Sequence, residues 1–119
     1  MGAARLAGPE PQADADQPEL RAEHRRKNRE ILKGLLQDKD ARVKTIAAKG
    51  LARDGDAAVY PELEEALDGA DDNARLHAIE GMASLKDARA EKRLIALLKH
   101  TNRDVRWKAA EALGNFKGR

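Results

Sequence analysis

Few residues in this sequence have side chains and spacings that could support catalysis or metal binding. His77 and Glu80 lie three positions apart, so a helix would bring an imidazole and a carboxylate to one face, as a metal site requires. Two ligands do not make a site, and no third donor is predicted nearby. Ser84 is the only serine, and it has no histidine at the spacing of a nucleophile motif. We therefore expect a protein that is not an enzyme, with no catalytic residue, no metal and no cofactor.

The composition excludes further classes of chemistry. The chain of 119 residues contains no cysteine, which rules out disulfides, zinc–thiolate sites and thiol catalysis. It has no glycine-rich phosphate-binding loop, and no small-molecule substrate is evident. No apolar run approaches the length of a membrane span or a secretory signal, so we expect a cytoplasmic protein without a membrane partner.

The elements that would position any functional residue follow an internal repeat. Segments 43–51, 74–82 and 105–113 align at a constant interval of 31 residues, with an apolar residue, a base, an alanine and a large apolar residue in register. A period of roughly 20 to 50 residues is typical of stacked-repeat proteins, whose units bury their apolar faces against neighbouring units. Aromatic residues are only 3% of the chain, so the core must consist of Ala, Leu, Ile and Val.

Each copy of the repeat is predicted to form two antiparallel helices. The first begins after Asp40, Asp71 or Asn102, short polar residues that can accept hydrogen bonds from free backbone N–H groups. In the first copy the apolar face of this helix is predicted to comprise Val43, Ile46, Ala47, Gly50 and Leu51. The predicted fold is an all-α solenoid of about six helices. It comprises a disordered tail (1–17) and a repeat domain (18–119), divided into a partial leading repeat (18–38), repeats 39–69 and 70–100, and a half repeat (101–119).

One helical position carries glycine or alanine in every copy, at Gly50, Gly81 and Ala112. Glycine inside a helix costs roughly 1 kcal/mol relative to alanine, so its recurrence indicates helix packing too close for a larger side chain. Ala48, by contrast, is predicted to lie at the edge of the apolar stripe. We therefore expect Gly81→Leu to destabilise the fold far more than Ala48→Leu.

Basic residues gather on the first predicted helix, over about residues 18–37, with Arg25, Arg26 and Arg29 as candidate contacts to phosphates. That helix has six bases and three acids, the second helix of the first full repeat has four acids and no base, and that of the next has four bases and one acid. A nucleic acid across this face would meet an acidic stripe, so the sequence argues against nucleic acid as the principal partner. It favours charge complementarity between neighbouring helices.

Two segments of the chain resemble a known repeat family. Residues 104–114, Asp-Val-Arg-Trp-Lys-Ala-Ala-Glu-Ala-Leu-Gly, resemble the first helix of HEAT repeats of the phycobilisome-lyase type, and residues 87–98 are similar to the second. The resemblance covers about residues 31–119 and implies a HEAT-like fold. It also implies that Lys44, Arg75 and Arg106 pair with acidic groups of the adjoining repeat. Because the family includes lyase subunits, scaffolds and regulators, the resemblance leaves the function open.

The last predicted helix is the strongest candidate for contact with a partner. No second helix follows it in the sequence, so Leu113 and Phe116 would lack a covering layer. Trp107 stands where the first full repeat has the polar Thr45. Uncovered ends of stacked repeats tend to associate, and tryptophan is frequent at binding hot spots. We therefore expect Trp107, Leu113 and Phe116 to belong to a partner-binding surface.

These observations favour a non-catalytic protein–protein interaction module, a small scaffold or regulatory subunit. Its partner would be another protein or a second copy of the chain. Two alternatives stay open at this point. One is an accessory subunit of a lyase or another modifying enzyme, and the other is a nucleic-acid binder acting through the basic first helix.

Overall fold

A computed structural model describes residues 17–117. The predicted tail therefore lies, except for Gln17, outside the described residues. The chain forms two compact units, residues 1–31 and 32–119, which divide within the first helix. Throughout residues 17–117 the regular structure is helical: α1 (Pro18–Leu35), α2 (Ala41–Arg53), a 3-10 turn (Ala57–Val59), α3 (Tyr60–Asp68), α4 (Asp72–Leu85), α5 (Ala88–Leu97) and α6 (Arg103–Lys117).

The predicted capping residues begin the first helix of each copy. The carboxylate of Asp40 accepts a hydrogen bond from Arg42 N, and that of Asp71 accepts from Asn73 N and Ala74 N. The amide oxygen of Asn102 accepts from Asp104 N at 2.8 Å and from Val105 N at 3.2 Å. Each cap satisfies backbone donors that have no partner within the helix.

The core of residues 32–117 lies where the first helices of successive copies pack side by side, α2 against α4 and α4 against α6. Helix α3 packs against both α2 and α4, and α5 against α4 and α6. The largest buried side chains at this core are Leu51, Tyr60, Leu63, Ile79, Met82, Leu94 and Val105. The all-helical repeat predicted from the sequence is confirmed.

The predicted apolar face of α2 is wrong at two positions. Ile46 was expected inside, yet 45% of its surface is exposed, whereas Ala48, expected at the edge, is completely buried. The reason is that α2 packs against α3 and α4 at once, so its buried face is broader than one stripe and includes the small side chains of Ala47, Ala48 and Ala52. A comparison of Gly81→Leu with Ala48→Leu would therefore overpack the core in both variants.

The recurrent glycines do mark close helix contacts. A Cβ atom at Gly81 would lie 2.9 Å from Leu63 Cδ2 and 3.4 Å from Lys49 Cα. At Gly50 it would lie 3.0 Å from Leu32 Cδ1. Leu32 and Leu63 are themselves one repeat apart, so the same leucine-on-glycine contact occurs in two successive copies.

The bases at the equivalent positions 44, 75 and 106 do not form the expected pairs with acids of the adjoining repeat. Arg75 Nε donates to Leu67 O at 3.1 Å, and its other nitrogens donate to Gly69 O and to Asp72 in its own helix. Arg106 Nη1 donates to the carbonyl oxygens of His100 and Thr101, at 2.9 and 3.1 Å. The expectation was wrong because the last carbonyl groups of a helix lack intrahelical donors, and these arginines satisfy groups at or just beyond the end of the preceding helix.

Candidate protein-interaction site

A groove between α4 and α6, here named the Trp107 groove, holds the most exposed large apolar side chain of the described residues. Its volume is about 390 Å³, and it is lined by Asn73, Leu76, His77, Glu80, Asp104, Trp107 and Lys108. Trp107 has 64% of its surface exposed. Val105 is fully buried, and two residues further along a helix is a rotation of about 200°, so Trp107 must face away from the core. Leu76, one repeat before Trp107, packs against the core.

A ladder of charges crosses α2, α4 and α6 beside this groove. Lys49 Nζ donates to Glu80 Oε1 and Lys108 Nζ donates to Glu80 Oε2, both at 2.9 Å. Partial burial by itself raises the pKa of Glu80, but the hydrogen bonds from the two lysines outweigh it and lower the pKa to about 2. Glu80 is therefore ionised at neutral pH and joins three helices through one carboxylate.

His77 lies at one end of this ladder and accepts a hydrogen bond from Lys49, whose Nζ is 3.0 Å from His77 Nδ1. Burial, followed by the positive charge of Lys49, lowers the pKa of His77, so the ring is neutral at pH 7. Because an ammonium group only donates, Nδ1 must be the unprotonated nitrogen. The same Lys49 Nζ contacts Glu80 Oε1, so an ammonium group lies between the two side chains that the sequence offered as metal ligands. Within residues 17–117 no group of three or more such side chains is arranged to hold a metal ion.

The arrangement suits binding through surface contacts. Trp107 offers a large apolar face, and Lys108 Nζ lies 5.4 Å from the centre of its ring. Asp104 and Glu80 also line the groove, and the Glu80 carboxylate is bonded to Lys49 and Lys108. An aromatic centre with charges of both signs at its edge is the usual composition of a protein–protein contact.

The other two residues predicted for the partner-binding surface, Leu113 and Phe116, do not line the Trp107 groove. Phe116 has only 4% of its surface exposed and belongs to the core, and Leu113 is partly buried against that core. The expectation that they lack a covering layer is wrong, because the face of α6 that carries Val105, Ala112 and Phe116 packs against the core formed with α4 and α5. Of the three residues, Trp107 is the one whose side chain is mostly exposed.

The basic residues of the first helix lie in the other unit. Arg25, Arg26 and Arg29 are all exposed on α1, a helix with no buried residue. The expected complementarity between neighbouring second helices occurs between α3 and α5, where Arg93 Nη2 donates to Asp68 Oδ1 at 2.6 Å.

Leu76, Asp104 and Lys108 were missing from the sequence-based site. The repeat itself carried a signal for Leu76: residues 31 apart in register lie side by side on adjacent helices, so Trp107 had to lie near Leu76. Asp104 and Lys108 flank Trp107 at spacings of three and one, but nothing in the sequence shows that their side chains turn toward the groove.

No helix among residues 17–117 is long and apolar enough to cross a lipid bilayer. The sequence matches no curated protein. Residues 60–119, which include α3 to α6, match the family of HEAT repeats. This match covers half of the chain and includes the helices that form the Trp107 groove, so the chain belongs to the HEAT repeat family.

Proposed function

We propose that this chain is a non-catalytic protein-interaction module, a small scaffold or regulatory subunit, whose partner binds in the Trp107 groove. HEAT repeats commonly mediate protein–protein interaction, and the family is generally non-catalytic. The observation that carries the proposal is the 64% exposure of Trp107 in a groove that has both apolar and charged walls.

The energetics of the groove favour a partner that covers the indole. Burying a large apolar side chain contributes about 1.5 to 3 kcal/mol, which the chain on its own forgoes at Trp107. Leu76 extends the apolar surface at the side of the groove, while Asp104 and Lys108 fix the orientation of a partner with complementary charges. A short amphipathic segment with an apolar residue beside charged ones fits this arrangement.

The experiment compares Trp107→Ala with Ile95→Ala. Ile95, on α5, is also a large apolar residue that is half exposed, at 52%, so it controls for the general loss of surface hydrophobicity. Partners are recovered from the native cell with the wild-type chain. Each partner is then purified and titrated against the wild type and the two variants. We expect the affinity of the true partner to fall at least 10-fold, about 1.4 kcal/mol, with Trp107→Ala and to stay unchanged with Ile95→Ala.

Fluorescence supplies an independent readout, because Trp107 is the only tryptophan in the chain. The free protein should emit at a long, solvent-like wavelength, and the emission should shift to shorter wavelength when the partner binds. A partner that binds all three chains equally and leaves the emission unchanged would overturn the proposal. A concentration-dependent shift without added partner would identify a second copy of the chain as the occupant.

A further inference from the structure

A second cavity, of about 500 Å³, lies within residues 36–74 and is separate from the Trp107 groove. We name it the Lys44 cavity. One wall comes from Leu36 and Gln37, which follow α1, and from the start of α2. The other wall comes from α3 and the start of α4. The residues that line it are Leu36, Gln37, Ala41, Lys44, Thr45, Glu62, Glu65, Ala66, Gly69, Ala70, Asp71 and Ala74.

The first wall has an equivalent in the next copy of the repeat, and a side chain of that copy lies against it. Leu36, Gln37, Ala41 and Lys44 are each one repeat before Leu67, Asp68, Asp72 and Arg75. In that later copy the guanidinium group of Arg75 lies against this wall, where it donates to Leu67 O, to Gly69 O and to the Asp72 carboxylate. In the third copy Arg106 also donates to two carbonyl oxygens, those of His100 and Thr101, of which His100 is one repeat after Gly69.

The first copy lacks the arginine that makes this contact in the other two copies. Lys44 stands in place of the arginine, and Ala41 in place of the aspartate. A lysine carries a single ammonium group and lacks the planar fork of donors with which arginine spans two carbonyl oxygens. Among the described residues Lys44 forms no hydrogen bond like those of Arg75 and Arg106. The first copy therefore keeps the carbonyl wall without a guanidinium group of its own.

The opposite wall is acidic. Three carboxylates, those of Glu62, Glu65 and Asp71, line the cavity, and Lys44 is the only base in its lining. Asp71 is already engaged, because it caps α4 and its Oδ2 lies 3.4 Å from Arg42 Nε, so Glu62 and Glu65 are the carboxylates left for a cationic donor. The Oε1 atom of Glu62 is buried and has no hydrogen-bond partner among the described residues. A buried carboxylate oxygen without a donor costs free energy that a cationic donor would recover.

We propose that the Lys44 cavity binds the guanidinium group of an arginine supplied by a partner protein. The partner's arginine would take the position that Arg75 and Arg106 take in the later copies, with its remaining donors toward Glu62 and Glu65. A cavity of this size accepts a side chain of that length, and the paired carbonyl and carboxylate acceptors select arginine over lysine. This proposal rests on the proposed function in taking the partner to be a protein, and it adds the chemistry of one of its side chains.

The test uses a single blocked residue, N-acetyl-arginine methylamide, titrated into the isotope-labelled full chain at constant ionic strength and followed by NMR. Amide shifts should change saturably at Gln37, Ala41, Thr45 and Gly69. The matched lysine compound should bind at least about 5-fold more weakly, because it lacks the fork of donors. The matched citrulline compound, which has the same shape without the charge, should give no saturable change. Binding of the citrulline compound as strong as that of the arginine compound would overturn the proposal.

Two variants complete the test, with a circular dichroism melt to check that each is folded. Lys44→Arg should place a guanidinium group on the wall from within the chain, and so raise the melting temperature and abolish binding of the arginine compound. The double variant Glu62→Gln and Glu65→Gln should weaken binding at least about 5-fold, since it removes two of the three carboxylates. If Lys44→Arg binds the arginine compound as strongly as the wild type does, the position assigned to the guanidinium group is wrong.

Trp107→Ala separates this proposal from the proposed function. It should bind the arginine compound as the wild type does, because Trp107 does not line the Lys44 cavity. If the partner binds through Trp107 but the arginine compound does not bind the wild-type chain, the proposed function stands and the cavity proposal falls. If the arginine compound binds the wild-type chain but Trp107→Ala leaves the affinity for the partner unchanged, the cavity proposal stands and binding through the Trp107 groove is refuted.

Discussion

Lys49 and Glu80 occupy the same position in successive copies of the repeat, and their side chains bond to each other, with Lys49 Nζ 2.9 Å from Glu80 Oε1. Residues one repeat apart lie side by side on adjacent first helices, so like charges at this position would repel. The first two copies carry opposite charges here, whereas the third carries a second acid, Glu111. Lys108 of α6 bonds to both carboxylates, with its Nζ 2.9 Å from Glu80 Oε2 and 3.3 Å from Glu111 Oε1. The two lysines, from α2 and α6, therefore offset the two carboxylates at this position.

The first prediction concerns the pH dependence that this ladder creates. The pKa of Glu80 is about 2 in the folded chain against an ordinary value of 4.5, so the ionised form stabilises the fold above pH 4.5, and this stabilisation disappears as the pH falls toward 2. Glu80 is about a third exposed, so solvent screening reduces the effect. We expect Glu80→Gln to lower the free energy of unfolding by about 1 to 2 kcal/mol at pH 7.

Denaturant titrations of the wild type and Glu80→Gln between pH 2 and 7 measure this effect. The difference between the two chains should shrink steadily below pH 4.5. Glu111→Gln is the control, because Glu111 is 58% exposed and contacts only Lys108, at 3.3 Å, among the described residues. That variant should change stability by less than about 0.5 kcal/mol. A loss for Glu80→Gln that is the same at every pH would contradict the assignment to the carboxylate charge.

Signals that act within one helix could be predicted from the sequence. Asp40, Asp71 and Asn102 were identified as caps because a cap depends only on the two or three residues after it, and all three accept backbone hydrogen bonds. The 31-residue register likewise predicted the helix pairs and the tight contact at Gly81, because register is a property of the chain itself.

Features that depend on which neighbour a helix meets could not be predicted in the same way. Ala48 is buried and Ile46 exposed because α2 has two packing partners, and hydrophobicity along one helix does not show how many it has. Arg75 was expected to bond acids of the adjoining repeat, since sequence reveals charged side chains but not carbonyl groups near a helix end. The Lys44 cavity was missed for a related reason: its walls come from residues on separate helices, which hydrophobicity along one helix does not bring together.

The second prediction compares Gly81→Leu with a different control, because Ala48 is buried and Ala48→Leu would overpack the core as well. Gly81→Leu should lower the free energy of unfolding by about 1 to 3 kcal/mol or more, because even a Cβ atom would contact Leu63 and the α2 backbone. Gly114→Leu is the matched control, because Gly114 lies inside α6 and is exposed. Apart from the backbone of its own helix, no atom of residues 17–117 lies within 4 Å of its Cβ position. Because leucine favours the helix over glycine, Gly114→Leu should stabilise the chain by about 0.5 kcal/mol or more. Equal stabilities in urea titrations would show that the contact at Gly81 relaxes without cost.

The third prediction follows from the burial of Phe116. Phe116→Asp should lower the free energy of unfolding by about 3 to 5 kcal/mol, because it leaves a cavity and places a carboxylate in the core. Trp107→Asp, at an exposed position on the same helix, should change stability by less than about 0.5 kcal/mol. The two variants are compared by thermal melting and by size-exclusion chromatography. A folded Phe116→Asp chain with an altered oligomeric state would instead favour the association surface that the sequence had suggested.

The last prediction concerns the exposed arginines of α1 and tests the nucleic-acid alternative. On the other unit, Arg93 is already bonded to Asp68 and lies 4.0 Å from Glu64, so it is not available to phosphates without breaking those contacts. Arg25, Arg26 and Arg29 would then neutralise about three phosphates, and affinity for duplex DNA should fall about 40-fold between 50 and 200 mM salt. We therefore expect no sub-micromolar binding near 0.15 M salt in fluorescence-anisotropy titrations.

Any binding measured at low salt should be abolished when these three arginines are replaced together by alanine, and Arg93→Ala should leave it unchanged. Since α1 has no buried residue, the triple variant should keep the melting temperature of the wild type. Sub-micromolar binding that persists near 0.15 M salt and depends on these arginines would make the first helix a nucleic-acid contact. Because such contacts position a protein on phosphates without reading bases, this binding should also be independent of DNA sequence.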